Sequence, residues 1–451
     1  MTYCARRRLR PSKKTPPMAI LPPDHTDRIT LAHEVHARPP EPLETPSRAT
    51  YVAVLIDPAE RAQEATHLAE LCGLFGVALP AAGATHFSAN LDQLRLKWER
   101  HGEFSGYTFF TAGHSPTPFS EPPTLRLPPG WLAALPGRTL VAAHAKLIEA
   151  GGADADPQFG ARHFGGHIVV GSEVGGGAGT AYTDFRIHAD GFSRFVLVNR
   201  SLTPRQSGRM LQRLFEIEAY RMMALLALPI ARHQGPTLTA IEGALASLTK
   251  NIAAEGSDDE VLLQALTRLA ADVESGLASS QFRFGACRAY FELVTTRIGE
   301  LRERRLAGIQ TIEEFMARRF TPAVQTCASV SQRLHDLSER VAQASALLST
   351  RVDIARERQN GALLASMDRR AKLQLRLQQT VEGLSVAAIV YYVGGLVSYL
   401  AKALKAGGVK VEPDLIVGGA IPLVAVAVLL AVRRAHRRIH DAERGAGSPY
   451  E

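Results

Sequence analysis

Two long stretches without a charged residue lie near the C-terminal end of the chain. They are "GLSVAAIVYYVGGLVSYLA", residues 383–401, and "LIVGGAIPLVAVAVLLAV", residues 415–432. As α-helices rising about 1.5 Å per residue, each would be roughly 27–28 Å long, close to the hydrocarbon thickness of a bilayer. Core helices of soluble proteins seldom lack a polar face over this length. The pattern predicts a two-helix transmembrane hairpin over residues 383–440; a buried helical hairpin in a soluble domain is the alternative.

Small residues inside both stretches predict close contact between the two helices, because short side chains let backbones approach. The residues expected to provide this packing are Gly394, Gly395, Ser398, Gly418 and Gly419. Lysine and arginine are concentrated before the first stretch and after the second, whereas the connecting loop carries three lysines and two acids. Since basic residues mark cytoplasmic flanks, both chain termini are expected in the cytoplasm.

Alternation of apolar and polar residues within residues 18–200 predicts β-strands. Clear examples cover residues 50–57 and 94–101, and a helix with Pro58 in its first turn is expected between them. Asp190–Gly191 lies between two further alternating runs and is typical of a hairpin turn. We therefore expect a β-rich head that also contains helices, and the fold class is predicted as α+β.

From Thr203 onward the hydrophobic period becomes helical. Thr203–Pro204 suit the start of a long amphipathic helix, and further helical patterns cover residues 237–254, 259–278 and 286–307. We assign residues 201–320 to a helical middle region.

A longer helical pattern over residues 321–382 predicts a stalk that runs into the first uncharged stretch. Its apolar residues step by three and four, which is typical of a coiled coil. They are Leu334, Leu337, Val341, Ala344 and Leu348, and the stripe resumes at Leu363, Leu364, Met367 and Ala371. Association of two or more copies through stalk and membrane helices is therefore expected.

Positive charge is concentrated in the N-terminal tail rather than in the body of the chain. The net charge is +8, but residues 1–17 hold six Lys and Arg and no acid, so 46 basic and 44 acidic residues remain elsewhere. Nucleic-acid binders carry a basic patch on the folded domain, so no nucleic-acid partner is expected. We expect residues 1–17 to be a disordered basic tail, with Met18 as an alternative start, and residues 441–451 to be a second tail.

The cysteines predict neither a disulfide framework nor a metal knuckle. Four are present, far apart and without a CxxC pair, which fits a reducing compartment. They are Cys4, Cys72, Cys287 and Cys327.

Two groups of histidine and acidic residues are candidates for metal binding or acid–base chemistry, because imidazole and carboxylate serve both purposes. The first group is His33, Glu34, His36 and Arg38, and the second is Glu99, His101 and Glu103. On a strand, the three members of the second group would share one face. A divalent metal ion could be bound if the two groups converge; a salt-bridged edge in which acids and arginines neutralise one another is the alternative.

A further polar group lies in "TDFRIHADGFSR". Strand alternation would place Asp184, Arg186 and His188 on one face, either as a polar pocket or as the solvent-facing side of a half-buried sheet. The glycine-rich "GSEVGGGAGTAY" lacks the lysine of a phosphate-binding loop and is typical of a hairpin connection. The sequence contains no nucleophile elbow or kinase signature, which disfavours the common enzyme classes.

Five long motifs, in order, resemble a family of uncharacterised, membrane-anchored bacterial proteins, domain-of-unknown-function family 3422. They are "HEVHARP", "KWERHGEF", "TDFRIHADGFSR", "QRLFEIEAYRMMALLALP" and "LQQTVEGLSVAAIVYYVGGL". The resemblance extends from about residue 22 to about residue 438. It implies membrane anchorage and no particular reaction, and it assigns no catalytic residue to this chain.

Three functions remain open at this point. The first is a scaffold or interaction protein, anchored in the bacterial inner membrane and facing the cytoplasm, with the lipid bilayer and copies of itself as partners. The second is an oligomeric ion channel, because the order of head, stalk and two spans resembles the CorA superfamily; "SYLAKALKAGG" stands where those channels have Gly-Met-Asn. The third is a metal-dependent enzyme that uses the histidine and glutamate groups of the head.

Overall fold

A mixed β-sheet occupies the first half of the protein. The computed structural model describes residues 22–34, 39–81, 83–151, 159–254, 258–408 and 412–445, with only the backbone at 30, 33, 34 and 435–445. The strands described are β1 (Ser47–Leu55), β2 (His86–Leu91), β3 (Leu94–Arg100), β4 (Phe104–Ala112), β5 (Arg138–Glu149), β6 (Val170–Val174), β7 (Gly179–Thr183), β8 (Ser193–Asn199) and β9 (Arg304–Arg305).

The strand order across the sheet is β2-β3-β4-β1-β5-β8-β7-β6-β9. Strands β5 and β8 run parallel, whereas the other neighbouring pairs are antiparallel. The glycine-rich stretch after Val174 joins β6 to β7, which confirms the predicted hairpin connection. Strands β7 and β8 also pair antiparallel, but nine residues, 184–192, connect them. This connection is longer than the turn predicted at Asp190–Gly191, and it contributes to the candidate site described below.

Helices account for most of the remaining described chain. They are α1 (Arg28–Glu34), α2 (Arg61–Leu74), α3 (Phe159–Phe164), α4 (Pro204–Leu225), α5 (Ala227–Ala253), α6 (Asp259–Leu301), α7 (Ile312–Arg319), α8 (Thr321–Ala406) and α9 (Pro413–Gly445). Helix α4 begins as predicted, because the Thr203 hydroxyl accepts from the Gln206 backbone N–H and Pro204 follows in the first turn. The chain is thus α+β, as the sequence predicts.

Both faces of the sheet are covered. Val52 and Val54 of β1 face a core that includes Leu68 and Leu71 of α2. The alternate residue Tyr51 faces α4 and stacks on Phe215, with 5.0 Å between the ring centroids. Burying these apolar side chains on both sides fixes the register of the central strands, since a shift by one residue would exchange the two faces.

One prediction for the helical middle region is wrong. Residues 259–278 and 286–307 were expected to form separate helices, but α6 runs without a break from Asp259 to Leu301. Helix α6 packs along α4 and α5. The chain divides into two compact units, residues 1–344 and 345–451.

The first part of the apolar stripe in the stalk is buried within the same chain. Leu334, Leu337 and Val341 of α8 are each at most 2% exposed. Beside them, Arg333 forms an ion pair with Glu242 of α5, and Leu334 lies against Gly276 of α6. This part of the stripe therefore belongs to an intramolecular helix bundle and is covered without a second copy.

Within the part of the chain that the structure describes, two helices are long and apolar enough to cross a membrane. They are the helix that ends at Ala406 and the helix that starts at Pro413. Their large apolar side chains are exposed; Leu396, Leu400 and Leu423 are examples, each more than 60% exposed. Such exposure is typical of surfaces that face lipid or another protein.

Candidate functional site

Two histidines and one aspartate form a cluster at the end of the sheet. Asp184 Oδ2 lies 2.8 Å from His167 Nδ1 and 2.9 Å from His188 Nε2. Each residue offers one atom that could bind a metal ion, and these atoms all lie within 4.8 Å of one another. The Asp184 side chain is completely buried, whereas that of His167 is 36% exposed. The cluster therefore reaches solvent on the side of His167.

The local chain course brings these residues together. Gly165 and Gly166, directly after α3, adopt positive φ angles of 61° and 79° and turn the chain so that His167 follows. Strand β7 ends at Thr183, and Asp184 is the next residue. Phe185 then has a φ of 51°, a left-handed conformation that is uncommon for an aromatic residue and often found at functional sites.

Contacts from the helices hold the left-handed residue in place. The Phe185 ring stacks on Phe315 of α7 at 4.9 Å between centroids. The guanidinium of Arg221 from α4 lies over the same ring, 5.4 Å from its centroid. The Glu218 carboxylate accepts hydrogen bonds from Nε and Nη2 of this guanidinium. Because Phe185 is fixed from the helical side, the adjacent Asp184 carboxylate is also held in position.

The three donor atoms lie close enough together to share one metal ion. The Arg186 backbone N–H donates to Asp184 Oδ1, which leaves Oδ2 facing the two imidazoles. His188 Nε2 is buried and makes no hydrogen bond within the described chain, although it lies 2.9 Å from that oxygen. Nitrogen and oxygen ligands of tetrahedral zinc lie about 3.3 Å apart, so small outward movements of the rings would admit an ion.

A three-ligand site open to solvent has a definite chemistry. Two imidazoles and one carboxylate suit zinc and other divalent first-row transition metals. Three protein ligands leave a coordination position for water, and a bound ion lowers the pKa of that water. The cluster could thus provide Lewis-acid chemistry at a surface-accessible point of the head.

The sequence identified two of the three residues, for a partly wrong reason. Asp184 and His188 were predicted as a pair on one strand face with Arg186, but the strand ends before them and all three lie in the β7–β8 connection. The Arg186 residue is exposed to solvent. His167 was missed, because only the sheet topology brings it to Asp184; its position in "HFGGH", a histidine after two glycines, was the available signal.

The group Glu99, His101 and Glu103 has a different environment. Strand β3 ends at Arg100, so the prediction that all three share one strand face is wrong. Glu99 pairs with Lys97 at 2.9 Å, and Glu103 forms an ion pair with Arg283 of α6. His101 stacks on Phe104 with 4.2 Å between centroids. Neighbouring cations therefore neutralise both acids. This arrangement is of the type that the salt-bridge alternative described.

Glu99 and His101 line one small cavity between the sheet and α4. Lys97 Nζ donates to Gln212 at 3.0 Å, and Gln212 in turn donates to Glu216. The cavity encloses about 20 Å³, which is room for roughly one water molecule. This volume is too small for a substrate.

The remaining predicted residues of the head lie outside the described side chains. They are His33, Glu34, His36 and Arg38. Their convergence with the second group stays a prediction.

Among the glycines predicted for membrane packing, Gly394 is the one in contact with the other helix. A Cβ added at Gly394 would lie 3.5 Å from Ile421 of α9. Added carbons at Gly395, Gly418 and Gly419 would meet nothing within 4 Å in the described chain. Gly394, Gly395 and Ser398 line a groove between the two helices.

A buried histidine near the cluster makes the stability of the head depend on pH. His144 Nδ1 lies 2.9 Å from the Thr50 hydroxyl, and its ring stacks on Phe192 at 3.9 Å. Burial lowers the pKa of His144 to about 4; Asp190 opposes this shift and Arg194 adds to it. An unfolded histidine titrates near pH 6.5 (about the model-peptide value), so the unfolded chain takes up the proton first as the pH falls.

We therefore expect acidification to destabilise the head. Stability due to neutral His144 is complete above about pH 6.5 and is lost progressively toward about pH 4; between about pH 7.5 and pH 5 the loss is about 2 kcal/mol. Urea unfolding at the two pH values measures it. A His144→Phe variant, which keeps an aromatic ring on Phe192, should show a pH-dependent loss that is smaller by this amount. An equal loss in both proteins would contradict the assignment.

A protein-family model matches most of the chain. The family described as "Protein of unknown function (DUF3422)" matches residues 23–439. No curated protein and no solved structure matches the chain.

Proposed function

The chain belongs to the DUF3422 family of proteins of unknown function, and we propose that it is a membrane-anchored metalloprotein. In this proposal the head lies in the cytoplasm and binds one divalent first-row transition-metal ion through His167, Asp184 and His188. The two C-terminal helices hold the head at the bacterial inner membrane. The bound ion supplies a Lewis-acid position that solvent and partners can reach.

The observation that carries the proposal is the contact of two imidazole nitrogens with one buried carboxylate oxygen. A carboxylate that bridges two imidazoles by hydrogen bonds alone would account for the His167 contact, which is a hydrogen bond of 2.8 Å. It does not account for His188 Nε2, which is buried without a hydrogen bond in the described chain. A shared metal ion would satisfy both nitrogens and the buried charge together.

Membrane anchorage is supported by the two apolar helices and their flanks. Arginines and lysines precede the first span and follow the second, among them Arg369, Arg370, Arg433 and Arg434. This distribution favours cytoplasmic ends and an external loop between the helices.

Self-association is the second part of the proposal and would let the protein act as a scaffold. The C-terminal part of the stalk exposes Leu363, Leu364 and Met367, each at least 58% accessible to solvent. These positions continue the predicted apolar stripe, whose N-terminal part is covered within the chain. An exposed apolar surface on a long helix is typical of a helix–helix interface. The hypothesis of an ion channel has no comparable support and stays a prediction.

One preparation tests the proposal. The full-length protein is purified in detergent, stripped with a chelator, and titrated with zinc while its particle size is measured by light scattering. We expect one zinc ion to bind per chain and the particle to contain more than one chain. As a matched control, His86→Ala removes an exposed histidine of β2 and should not change the zinc stoichiometry, whereas His188→Ala should abolish it.

The two parts of the proposal fail separately. Zinc binding that survives His188→Ala would refute the metal centre and leave the anchorage untouched. A particle of a single chain would refute self-association and leave the metal centre standing.

A further inference from the structure

A strip of buried cations lies on the sheet near β1 and β5. Arg48 and Lys146 are register partners on neighbouring strands, so their side chains leave the same face of the sheet. Both are more than nine-tenths buried, at 8% and 7% exposure. Two like charges side by side destabilise a sheet unless something compensates them.

Compensation by the protein is incomplete. Arg48 Nη1 donates to the Glu121 backbone carbonyl and to its carboxylate, at 2.8 and 3.2 Å, but this carboxylate is 54% exposed. The described residues offer the Lys146 ammonium no hydrogen-bond or ion-pair partner. Burial, followed by the Arg48 charge, lowers the pKa of Lys146. Among the described residues, its charged form therefore lacks a counter-ion.

Further polar atoms without partners lie along the same row of the sheet. Thr111 is the register partner of Arg48 on its other side, and the Thr111 hydroxyl and Arg48 Nε are both buried without a hydrogen bond in the described chain. On the far side of Lys146 lies Val196, which belongs to the same buried apolar cluster as Phe119. Glu121, two residues after Phe119, contacts the strip at Arg48.

A third cation lies in the next row. Arg194 of β8 is the register partner of His144 on β5. The Arg194 guanidinium lies over the Phe119 ring, 5.2 Å from its centroid. Its carboxylate partner Asp190 is 40% exposed at 3.4 Å. Among the described residues, three cations thus face two solvent-screened carboxylates, which leaves an excess of one positive charge on a largely desolvated surface.

We propose that this strip is a binding site for a small oxyanion, a carboxylate or phosphate group. The Lys146 ammonium is its main ligand, and Arg48 Nε and the Thr111 hydroxyl are further donors. Charge-assisted hydrogen bonds from lysine and arginine are the usual means of oxyanion recognition, and they are strengthened when water is excluded. The site is separate from the metal cluster and does not depend on it.

Thermal unfolding of the detergent-purified full-length protein tests this site. Sodium phosphate and sodium acetate are titrated separately, each against sodium chloride at matched ionic strength. At least one of the two oxyanions is expected to raise the unfolding temperature, and the one that does so identifies phosphate or carboxylate as the ligand class. In Lys146→Met, which keeps the apolar stem and removes the charge, half-maximal stabilisation should require at least about tenfold more anion, since a charged hydrogen bond is lost.

Matched variants complete the test. Lys250→Met removes an exposed lysine at the end of α5 and should leave the anion effect unchanged. Thr111→Val preserves shape and removes one hydroxyl; it should weaken the effect several-fold even if Lys146→Met does not fold. Equal stabilisation by phosphate, acetate and chloride, or a full anion effect in both Lys146→Met and Thr111→Val, would overturn the proposal. Zinc binding should be unaltered in these variants, so the outcome is independent of the metal centre.

Discussion

An Asp184→Asn variant is expected to bind zinc about 100-fold more weakly than the unaltered protein. The amide has nearly the size of the carboxylate and can still accept the hydrogen bond from the Arg186 backbone N–H. It lacks the negative charge that lies between the two imidazoles, and neutral amides are poor zinc ligands. Loss of residues that only support a ligand already costs about 10–100-fold in affinity, so loss of the ligand itself should reach the upper end of this range.

Competition with a chromogenic zinc chelator measures the affinity in detergent. Asp92→Asn is a matched control, because Asp92 is exposed and has a φ of 57°, a conformation that asparagine adopts readily. Wild-type affinity in Asp184→Asn would refute the metal centre. A loss of similar size in Asp92→Asn would show that the effect does not come from the cluster.

The two site residues that the sequence predicted depend on a local pattern, and the third, His167, depends on topology. Asp184 and His188 are four residues apart, so any local pattern places them near each other. His167 lies on the other side of β6 and β7 in the chain, and its approach to Asp184 requires that α3 covers the face of Tyr182 and Val196. Apart from the two glycines that precede His167, a single sequence contains no signal for that contact. The strand predicted through Arg186 failed because Phe185 turns the backbone out of extended conformation.

The fold was predictable where one physical pattern dominates. Alternation predicted strands such as β3, because Leu94, Leu96 and Trp98 face one apolar core and the residues between them are charged. It could not give the order of strands, nor the parallel pairing of β5 and β8, because pairing partners are chosen by long-range contacts.

Helix α6 shows why a polar run can hide continuity. The predicted helical patterns ended at residue 278 and resumed at residue 286, and "SGLASSQ", residues 275–281, lies at the first of these ends. In the structure, Ser279 and Ser280 donate their hydroxyls to the Gly276 carbonyl, so the polar groups are satisfied inside the helix. Gly276 itself lies where α8 approaches, with Leu334 within 3.0 Å of an added Cβ. Packing against α8 thus stabilises a segment whose own propensity for helix is weak.

The same packing changes the meaning of the stalk pattern. A stripe with steps of three and four predicts a helix with one apolar face, but it does not say which partner covers that face. For Leu334, Leu337 and Val341 the partner lies in the same chain. A coiled coil between copies could therefore use the exposed C-terminal part of the stripe, but not the N-terminal part that is already covered.

The orientation of the two spans should be evident from cysteine labelling in intact bacterial cells. We expect Lys405→Cys, in the last turn of α8 and after the first span, to react with a membrane-impermeant maleimide from outside. Lys372→Cys, before the first span, should react only after lysis. The basic flanks favour this arrangement because positive residues are retained on the cytoplasmic side. The difference should be all-or-none, since the bilayer is impermeable to the reagent.

The protein itself offers a clean background for this experiment. Cys72, Cys287 and Cys327 are buried and should not react, and Cys4 is replaced by serine. Lys405 and Lys372 are both exposed lysines, so the two variants differ mainly in the side of the membrane on which they lie. Replacing Lys405 also removes a positive charge from the segment between the two spans. Because positive residues favour the cytoplasmic side, this loss does not favour the opposite orientation. Labelling of Lys372→Cys in intact cells would reverse the proposed orientation. Absence of labelling at both positions, with the protein in the soluble fraction, would refute anchorage, because neither apolar helix would then cross the bilayer.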